Sequence, residues 1–237
     1  MANIPKITII IPVFNEVSTI EKVIARILQQ KRIKKKQLII VDDFSSDGTK
    51  ELLKKIKFKS LKIIYKYKNE GKGSAIKIAQ KLVSGNIVII QDADLEYHPK
   101  DYIKLIKPII QKKTNVVYGS RVYGKKRYSK NNHFISFPRI FGNHILTLVS
   151  NFLNKQKLTD AHTGYKVFDA LLFKRIKLEQ NDFSFCPEIT TKLSLINENI
   201  YEVPISYKGR GYKEGKKISI KDAFKAIYVL FKYRFNI

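Results

Sequence analysis

The chain has 237 residues, 44% of them hydrophobic, which suits one large domain or a domain with an appendage. Its 46 Lys and Arg against 20 Asp and Glu give a formal net charge of +26, so a productive partner surface is expected to be negative; the bland alternative is that much of the excess lysine is a solvated face. A single cysteine, Cys186, excludes an internal disulfide and a cysteine cluster for zinc, and no segment approaches the ~20 apolar residues of a membrane span.

The N-terminal MANIPKITIIIPVF reads as a buried strand over 7–13 closed by Pro12, not as a secretory signal. Residues 17–30 follow with Ile20, Val23, Ile24, Ile27 and Leu28 at helical spacing. The pattern repeats as strand 38–42 with helix 47–57, strand 61–65 with helix 73–83, and strand 87–91 with helix 99–111. Such alternation predicts an α/β fold, a mostly parallel sheet with helices on both faces, and ligands at the carboxyl ends of the strands. Past residue 113 the regularity drops. There the sequence predicts a strand at 115–120, a basic loop at 121–130, a helix at 139–153, a loop at 159–165, a helix at 187–196 and a strand at 200–204. A last helix, 218–235, gathers Ile220, Ala223, Phe224, Ile227, Tyr228, Phe231 and Phe235 on one broad face, with Lys221, Lys225, Lys232 and Arg234 around it. That face either lies in a lipid interface or packs on the domain.

Polar residues collect at the predicted strand ends: FNE at 14–16, DDFSSDGT at 42–49, NEGKGSA at 69–75 and DADLE at 92–96. Asp92 and Asp94 stand two apart in an extended segment, so both carboxylates can point to one side and hold a hard cation such as Mg2+ or Mn2+. A calcium loop starting at Asp92 fails, because Tyr97 and Ile103 stand where Gly and Glu are needed; one starting at Asp43 fails at Lys54. Asp43 is expected to accept a hydrogen bond from a nucleobase, with Ser46 or Asp47 capping the next helix. NEGKGSA is neither a P-loop nor a dinucleotide fingerprint, though Gly71 and Gly73 can let amides approach a ribose or phosphate. Three basic groups follow: Arg121 after a strand, Arg139 with Asn143 one turn on, and Arg210 with Lys216 and Lys217 around GRGYKEGKK. Arginine grips phosphate oxygens in a fork. The four histidines, at 98, 133, 144 and 162, have no metal-ligand spacing, and no Ser-His-Asp order is evident.

IPVFNE, VDDFSSDGT, NEGKGSA, QDADLEYHP, VVYGSR, TDAHTGYKVF, FCPEIT and VPISYKGRGYKEGKK occur in this order along nearly the whole chain. Together they resemble the inverting family 2 glycosyltransferases of GT-A fold, in the dolichol-phosphate mannosyltransferase-like branch. The resemblance implies that Pro12, Asn15, Glu16 and Asp43 hold the base and ribose of a nucleotide-diphosphate sugar, with Gly71 and Lys72 on the same donor side. It implies Asp92 by the ribose or a metal-bound water, Asp94 and Glu96 on the metal, and Arg210 and Lys216 on the donor phosphates. Arg121, Arg139 and Asn143 fall where the family binds the acceptor phosphate, which would make Asp94, Arg121 and Arg139 the residues nearest the chemistry. Glu96 stands where several mannosyltransferases carry Gln, and Asn143 where some carry Ser.

The implied reaction moves a hexose from GDP-mannose or UDP-glucose to a polyprenyl phosphate with inversion. The implied organisation is a glycosyltransferase domain over 1–217, its nucleotide half 1–112 and acceptor half 113–217, then the amphipathic helix 218–237. The expected setting is the cytoplasmic face of an anionic membrane, without nucleic acid, which the acidic strand ends would repel. The competing reading is a family 2 transferase acting on a sugar hydroxyl, which would want a carboxylate base; Asp160 and Glu188 are the candidates.

Overall fold

The computed structural model describes residues 4–124, 137–210 and 220–236; of Phe137, Pro138, Arg139 and Ile220 it describes the backbone alone. Among the described residues, seven strands form one sheet in the order β3-β2-β1-β4-β6-β5-β7. β1 (Ile7–Val13), β2 (Lys36–Asp42), β3 (Leu61–Tyr65) and β4 (Ile87–Ile90) are mutually parallel, joined by α1 (Ile20–Leu28), α2 (Thr49–Lys55) and α3 (Lys72–Gln80). Every isoleucine of β1 and its valine are buried, as expected of a strand with helices on both faces. α1 turns Ile20, Val23, Ile24 and Ile27 onto one face of the sheet, and α3 sets Ala75, Ile76 and Ala79 against the other.

A 3-10 turn, Pro99–Asp101, leads into α4 (Tyr102–Ile110), and β5 (Val116–Ser120) follows. α5 (Phe137–Asn154) precedes an element the sequence reading missed: β6 (Lys166–Asp169), which pairs antiparallel with both β4 and β5. Its four residues are too few to display a period. α6 (Ala170–Arg175), also missed, starts directly after it, with Asp169 capping the amides of Leu171 and Leu172 at 2.9 and 3.1 Å. α7 (Phe185–Leu195), β7 (Ile200–Pro204) and α8 (Ile220–Phe235) complete the chain. α8 packs on α5 and α7 through Ala226, Val229, Leu230 and Tyr233. No helix among the described residues is long and apolar enough to cross a membrane.

Candidate active site

The parallel strands β1 and β4, with α3, the loops after β2, β5 and β7 and the loop before the antiparallel β6, open a cleft of about 540 Å3 at the carboxyl ends of β1 and β4. Of the predicted site residues, Pro12, Glu16, Asp43, Gly71, Lys72, Asp92, Asp94, Glu96, Arg121 and Arg210 line it. Contributions from positions as distant as 12 and 210 are thus gathered in one place, which is what the ordered polar strand ends imply.

At the β1/β4 side the cleft is acidic. The Arg210 guanidinium lies 3.0 and 3.1 Å from the two oxygens of Glu16 and 3.2 Å from Asp94 Oδ2. Its backbone amide donates to Glu96 Oε1 at 2.8 Å, and the other Glu96 oxygen accepts from the Tyr207 hydroxyl at 2.7 Å. Lys72 pairs with Asp92 Oδ1 at 2.5 Å. Burial, then the neighbouring charges of Asp92 and Glu96, push Asp94 up to about 7 despite Arg210. A carboxylate held there is short of positive charge. No three acidic, His or Cys side chains among the described residues are arranged to hold a metal ion by themselves. Asp94 and Asp92, with oxygens supplied by a substrate diphosphate, are the set that suits Mg2+ or Mn2+.

Asp43 is nearly fully buried, and its carboxylate accepts from Lys66 Nζ, from Glu70 N at 3.1 Å and from Gly71 N at 2.7 Å. It therefore fixes the start of α3 as well as facing the cleft. Lys66, which also bonds Ser74 at 2.9 Å, is a partner that local sequence did not reveal. Gly71, at φ 99°, and Gly73 are required by the backbone of Asn181 and Gln180: a Cβ at Gly73 would lie 2.4 Å from the Gln180 carbonyl. Their closest approach is thus to the protein's own 180–182 segment. Asn15, at φ 52°, does not line the cleft but ties the end of β1 to the next loop: its Oδ1 accepts from Ser46 N, and its amide donates to Ser45 Oγ, both at 2.9 Å. The N-cap position of α2 is Gly48, at φ 95°, rather than Ser46 or Asp47; Asp47, just before it, accepts from Thr49 N at 3.0 Å.

The β5 side is built differently. Arg121 grips Asp160 with Nε and Nη2, both at 2.7 Å, and its amide adds a third bond to Asp160 at 3.0 Å. Asn143, from α5, donates to Asp160 at 3.1 Å and lies 3.4 Å from Arg121 Nη2. Burial opposes the charge of Asp160, but Arg121 outweighs it and holds the carboxyl below the ordinary aspartate range. The backbone amides of Thr159 and Asp160 are in turn anchored on Glu202 at 2.7 and 2.9 Å. The Arg121 guanidinium also lies 5.2 Å from the Tyr207 ring centroid. Arg139 sits in the first turn of α5, its side chain beyond the described residues, and Lys216 and Lys217 also lie outside them.

Three residues outside the predicted set shape the floor. Lys166 is buried and donates to the carbonyls of Ala161 and Thr163, both at 3.0 Å; burial lowers it to about 8. Tyr97 accepts from Gly164 N at 2.7 Å. A Cβ on Gly164 would stand 2.3 Å from Asp92 Oδ2, so only glycine lets the carboxylate lie over this loop. The run of polar residues in TDAHTGYK was the one signal that could have marked Gly164 and Lys166.

The chain belongs to glycosyl transferase family 2, whose model matches residues 8–177. It is therefore a glycosyltransferase. It is 28% identical to the UDP-N-acetylglucosamine–dolichyl-phosphate N-acetylglucosaminyltransferase of Methanococcus voltae, over 94% of each chain. It is 27% identical to the dolichol-phosphate mannosyltransferase of Pyrococcus furiosus, over 96% of this chain and 64% of that one. Among solved structures, glucosyl-3-phosphoglycerate synthase of Mycobacterium tuberculosis in complex with Mn2+ and UDP-glucose superposes with a TM-score of 0.69 at 17% identity, covering 98% of this chain and 80% of that one. That likeness identifies the fold as the GT-A type.

Proposed function

We propose that the protein transfers a hexose from a nucleotide-diphosphate sugar to a polyprenyl phosphate, with inversion at the anomeric carbon and a divalent cation at Asp94 and Asp92. The observation that carries this reading is the condition of Asp160 and Glu188, the two carboxylates expected from the sequence to serve a hydroxyl acceptor as base. Asp160 is completely buried and committed to Arg121 and Asn143. Glu188 is likewise buried, accepting from the amides of Glu179 and Gln180 and pairing with Lys192 at 2.7 Å. Neither lines the cleft, so neither is placed to deprotonate a sugar hydroxyl. A phosphomonoester acceptor, with its second pKa near ~6, needs no such base. The dolichyl-phosphate transferases among the relatives support the same acceptor class, and the Mn2+ of the structural neighbour supports the cation.

In this reading Asp43, Glu16 and Pro12 border the nucleoside, and Arg210 and Lys216 meet the diphosphate. Arg121, with Asn143 and Arg139, holds the acceptor phosphate in line with the anomeric carbon. A phosphate oxygen forms the new bond to that carbon as the bond to the diphosphate breaks, and the electron pair leaves with the nucleotide. The bound cation would neutralise the charge that grows on the leaving group. The chain's own residues supply placement and fixed positive charge, the terms that favour a reaction between two anions.

The test is a matrix of donors and acceptors: GDP-mannose, UDP-glucose and UDP-N-acetylglucosamine against a short polyprenyl phosphate, 3-phosphoglycerate and a simple hexoside, with Mn2+ or Mg2+. A β-linked polyprenyl-phosphate sugar that requires the cation is expected from an α-linked donor. Transfer confined to 3-phosphoglycerate or to the hexoside would overturn the proposal. With a polyprenyl phosphate as acceptor the enzyme would work at a membrane surface, and we assign it to the cytoplasmic face.

A further inference from the structure

Among the described residues, the Lys and Arg side chains that line the cleft are each paired with a carboxylate: Lys72 with Asp92, Arg121 with Asp160, and Arg210 with Glu16 and Asp94. Lys166, on β6, differs. Only 1% exposed, it donates to the carbonyls of Ala161 and Thr163 and stands 3.8 Å from the centroid of the Tyr118 ring, with no carboxylate of the described residues at ion-pair distance. A buried cation without a counter-charge is costly to keep, which makes its two carbonyl contacts worth following.

In a trans peptide the C=O and N–H bonds point in opposite directions, and no peptide among the described residues is cis. Because the Ala161 and Thr163 oxygens both face Lys166, the amides of His162 and Gly164 face away from it. Gly164 N meets the hydroxyl of Tyr97, a cleft residue, at 2.7 Å. His162 lines the same cleft, and its amide meets no acceptor among the described residues. It is the exception in its loop. The amides of Thr159 and Asp160 end on Glu202, that of Ala161 on Thr147 Oγ1, and that of Thr163 on the Asp160 carbonyl.

We infer that the His162 amide is a hydrogen-bond donor to the acceptor phosphate, oriented and polarised by Lys166 through the Ala161–His162 peptide. The ammonium draws on the carbonyl oxygen, which makes the N–H at the other end of the same peptide a stronger donor. Positive charge that Lys166 cannot present directly thus reaches the cleft as a fixed dipole. Location selects the acceptor. Asp160, two residues before His162, carries Arg121, the proposed grip on the acceptor phosphate. Gly164, two residues after, lies against Asp92 Oδ2. The amide therefore stands between the acceptor arginine and the acidic side of the cleft, where an attacking phosphate must be held. Arg121 has already given Nε and Nη2 bonds to Asp160, and an amide adds a further bond to phosphate without a further charge to neutralise. Lys166 is then a positioning residue, since it touches no substrate. The identity of the phosphate rests on the polyprenyl-phosphate reading above; the unpartnered amide and the buried ammonium do not.

The sequence supplies a selective label. Of the four histidines only His162 follows an alanine; the others follow Tyr97, Asn132 and Asn143. Nitrogen-15 histidine with carbonyl-carbon-13 alanine therefore makes Ala161–His162 the single doubly labelled peptide of the full chain, and NMR can follow its amide alone. Titration with farnesyl phosphate should move the His162 amide proton downfield to saturation, while GDP or UDP with Mn2+ should leave it nearly in place. By calorimetry, Lys166→Met should weaken farnesyl phosphate binding by about tenfold or more and leave nucleotide affinity within about twofold of the parent. Lys166→Arg, which keeps the charge, should recover most of that loss. The inference is overturned if the amide proton stays in place with farnesyl phosphate and 3-phosphoglycerate alike, or moves only with the nucleotide. It is equally overturned if Lys166→Met folds and weakens nucleotide and phosphate acceptor to the same degree, as a purely structural lysine would. Should Lys166→Met not fold, the amide shift in the parent chain decides alone. A saturating shift with 3-phosphoglycerate but none with farnesyl phosphate would uphold the amide as the acceptor-phosphate donor and refute the lipid acceptor of the proposed function.

Discussion

The two sides of the cleft use arginine differently. Near β1 and β4, the Arg210 guanidinium lies at 3.0 Å from Glu16 and 3.2 Å from Asp94, with Glu96 at 3.9 Å, so one cation is spread over three carboxylates. Beside β5, Arg121 meets a single carboxylate, Asp160, through a two-pronged contact that Asn143 reinforces. The shared arrangement leaves Asp94 short of positive charge and so receptive to another cation. The paired arrangement is locally neutral and geometrically fixed. It therefore suits the task of holding a second substrate in place more than that of stabilising new charge. In the proposed reaction the cleft separates charge stabilisation from placement along its length.

That contrast breaks most visibly at Asp94. Asp94→Asn keeps the shape and removes one charge, and transfer should fall by about 10³-fold or more, with the nucleotide no longer bound more tightly in Mn2+ than in chelator. Retained turnover, or retained metal-dependent nucleotide binding, would show that the acidic side does not hold the cation. Next in size is Asp160→Asn on the paired side. Leaving the buried Arg121 without its counter-charge should cost about 3 kcal/mol of stability in urea unfolding. A loss below ~1 kcal/mol would mean that the pair is not the rigid element described here. Gly164→Ala sharpens the boundary between the two sides, because its methyl group would meet Asp92 Oδ2. Displacing that carboxylate should lower kcat by about 10²-fold, and because the same methyl group would stand 2.8 Å from the buried Tyr97 ring, the melting temperature should fall as well. Unchanged kcat would remove Asp92 from the reacting region.

Legibility follows the same division. β1 to β4 and their helices were readable because each strand is an apolar run and each helix an amphipathic one, both local signals. The acidic strand ends were readable for the same reason: Asp92 and Asp94 sit beside the runs that place them. Beyond residue 113 the controlling contacts are distant in sequence. Arg121 and Asp160 are 39 positions apart, and Glu202, which anchors Asp160, lies 42 further on. β6 begins with a buried lysine, Lys166, whose charge is answered by carbonyls of the preceding loop. In sequence such a residue marks solvent exposure, so the strand was hidden. Lys66 was hidden in the same way: a lysine reads as surface until its partner Asp43 is seen.

The smallest effect concerns the pH dependence of stability. Burial and the charges of Asp92 and Glu96 raise Asp94 from 3.8 to about 7 in the folded chain. Between these values the folded protein keeps a proton that the unfolded chain has released, so this group makes stability fall as pH rises across that window. The penalty is absent below the lower value and complete above the upper one. Asp94→Asn does not titrate, so relative to the parent it should gain about 2–3 kcal/mol on going from pH 5 to pH 8 in chelator. Mn2+ at pH 8 should then stabilise the parent by binding the ionised carboxylate, and should do little for the variant. The paired side supplies the control: Asp160 lies below its ordinary range, and its stabilisation is complete throughout pH 5 to 8. Asp160→Asn should accordingly show a loss that hardly varies over the same interval. Equal pH profiles for the parent and Asp94→Asn would mean that the acidic side carries no unmet negative charge, and the distinction between the two arginines would lose its electrostatic basis.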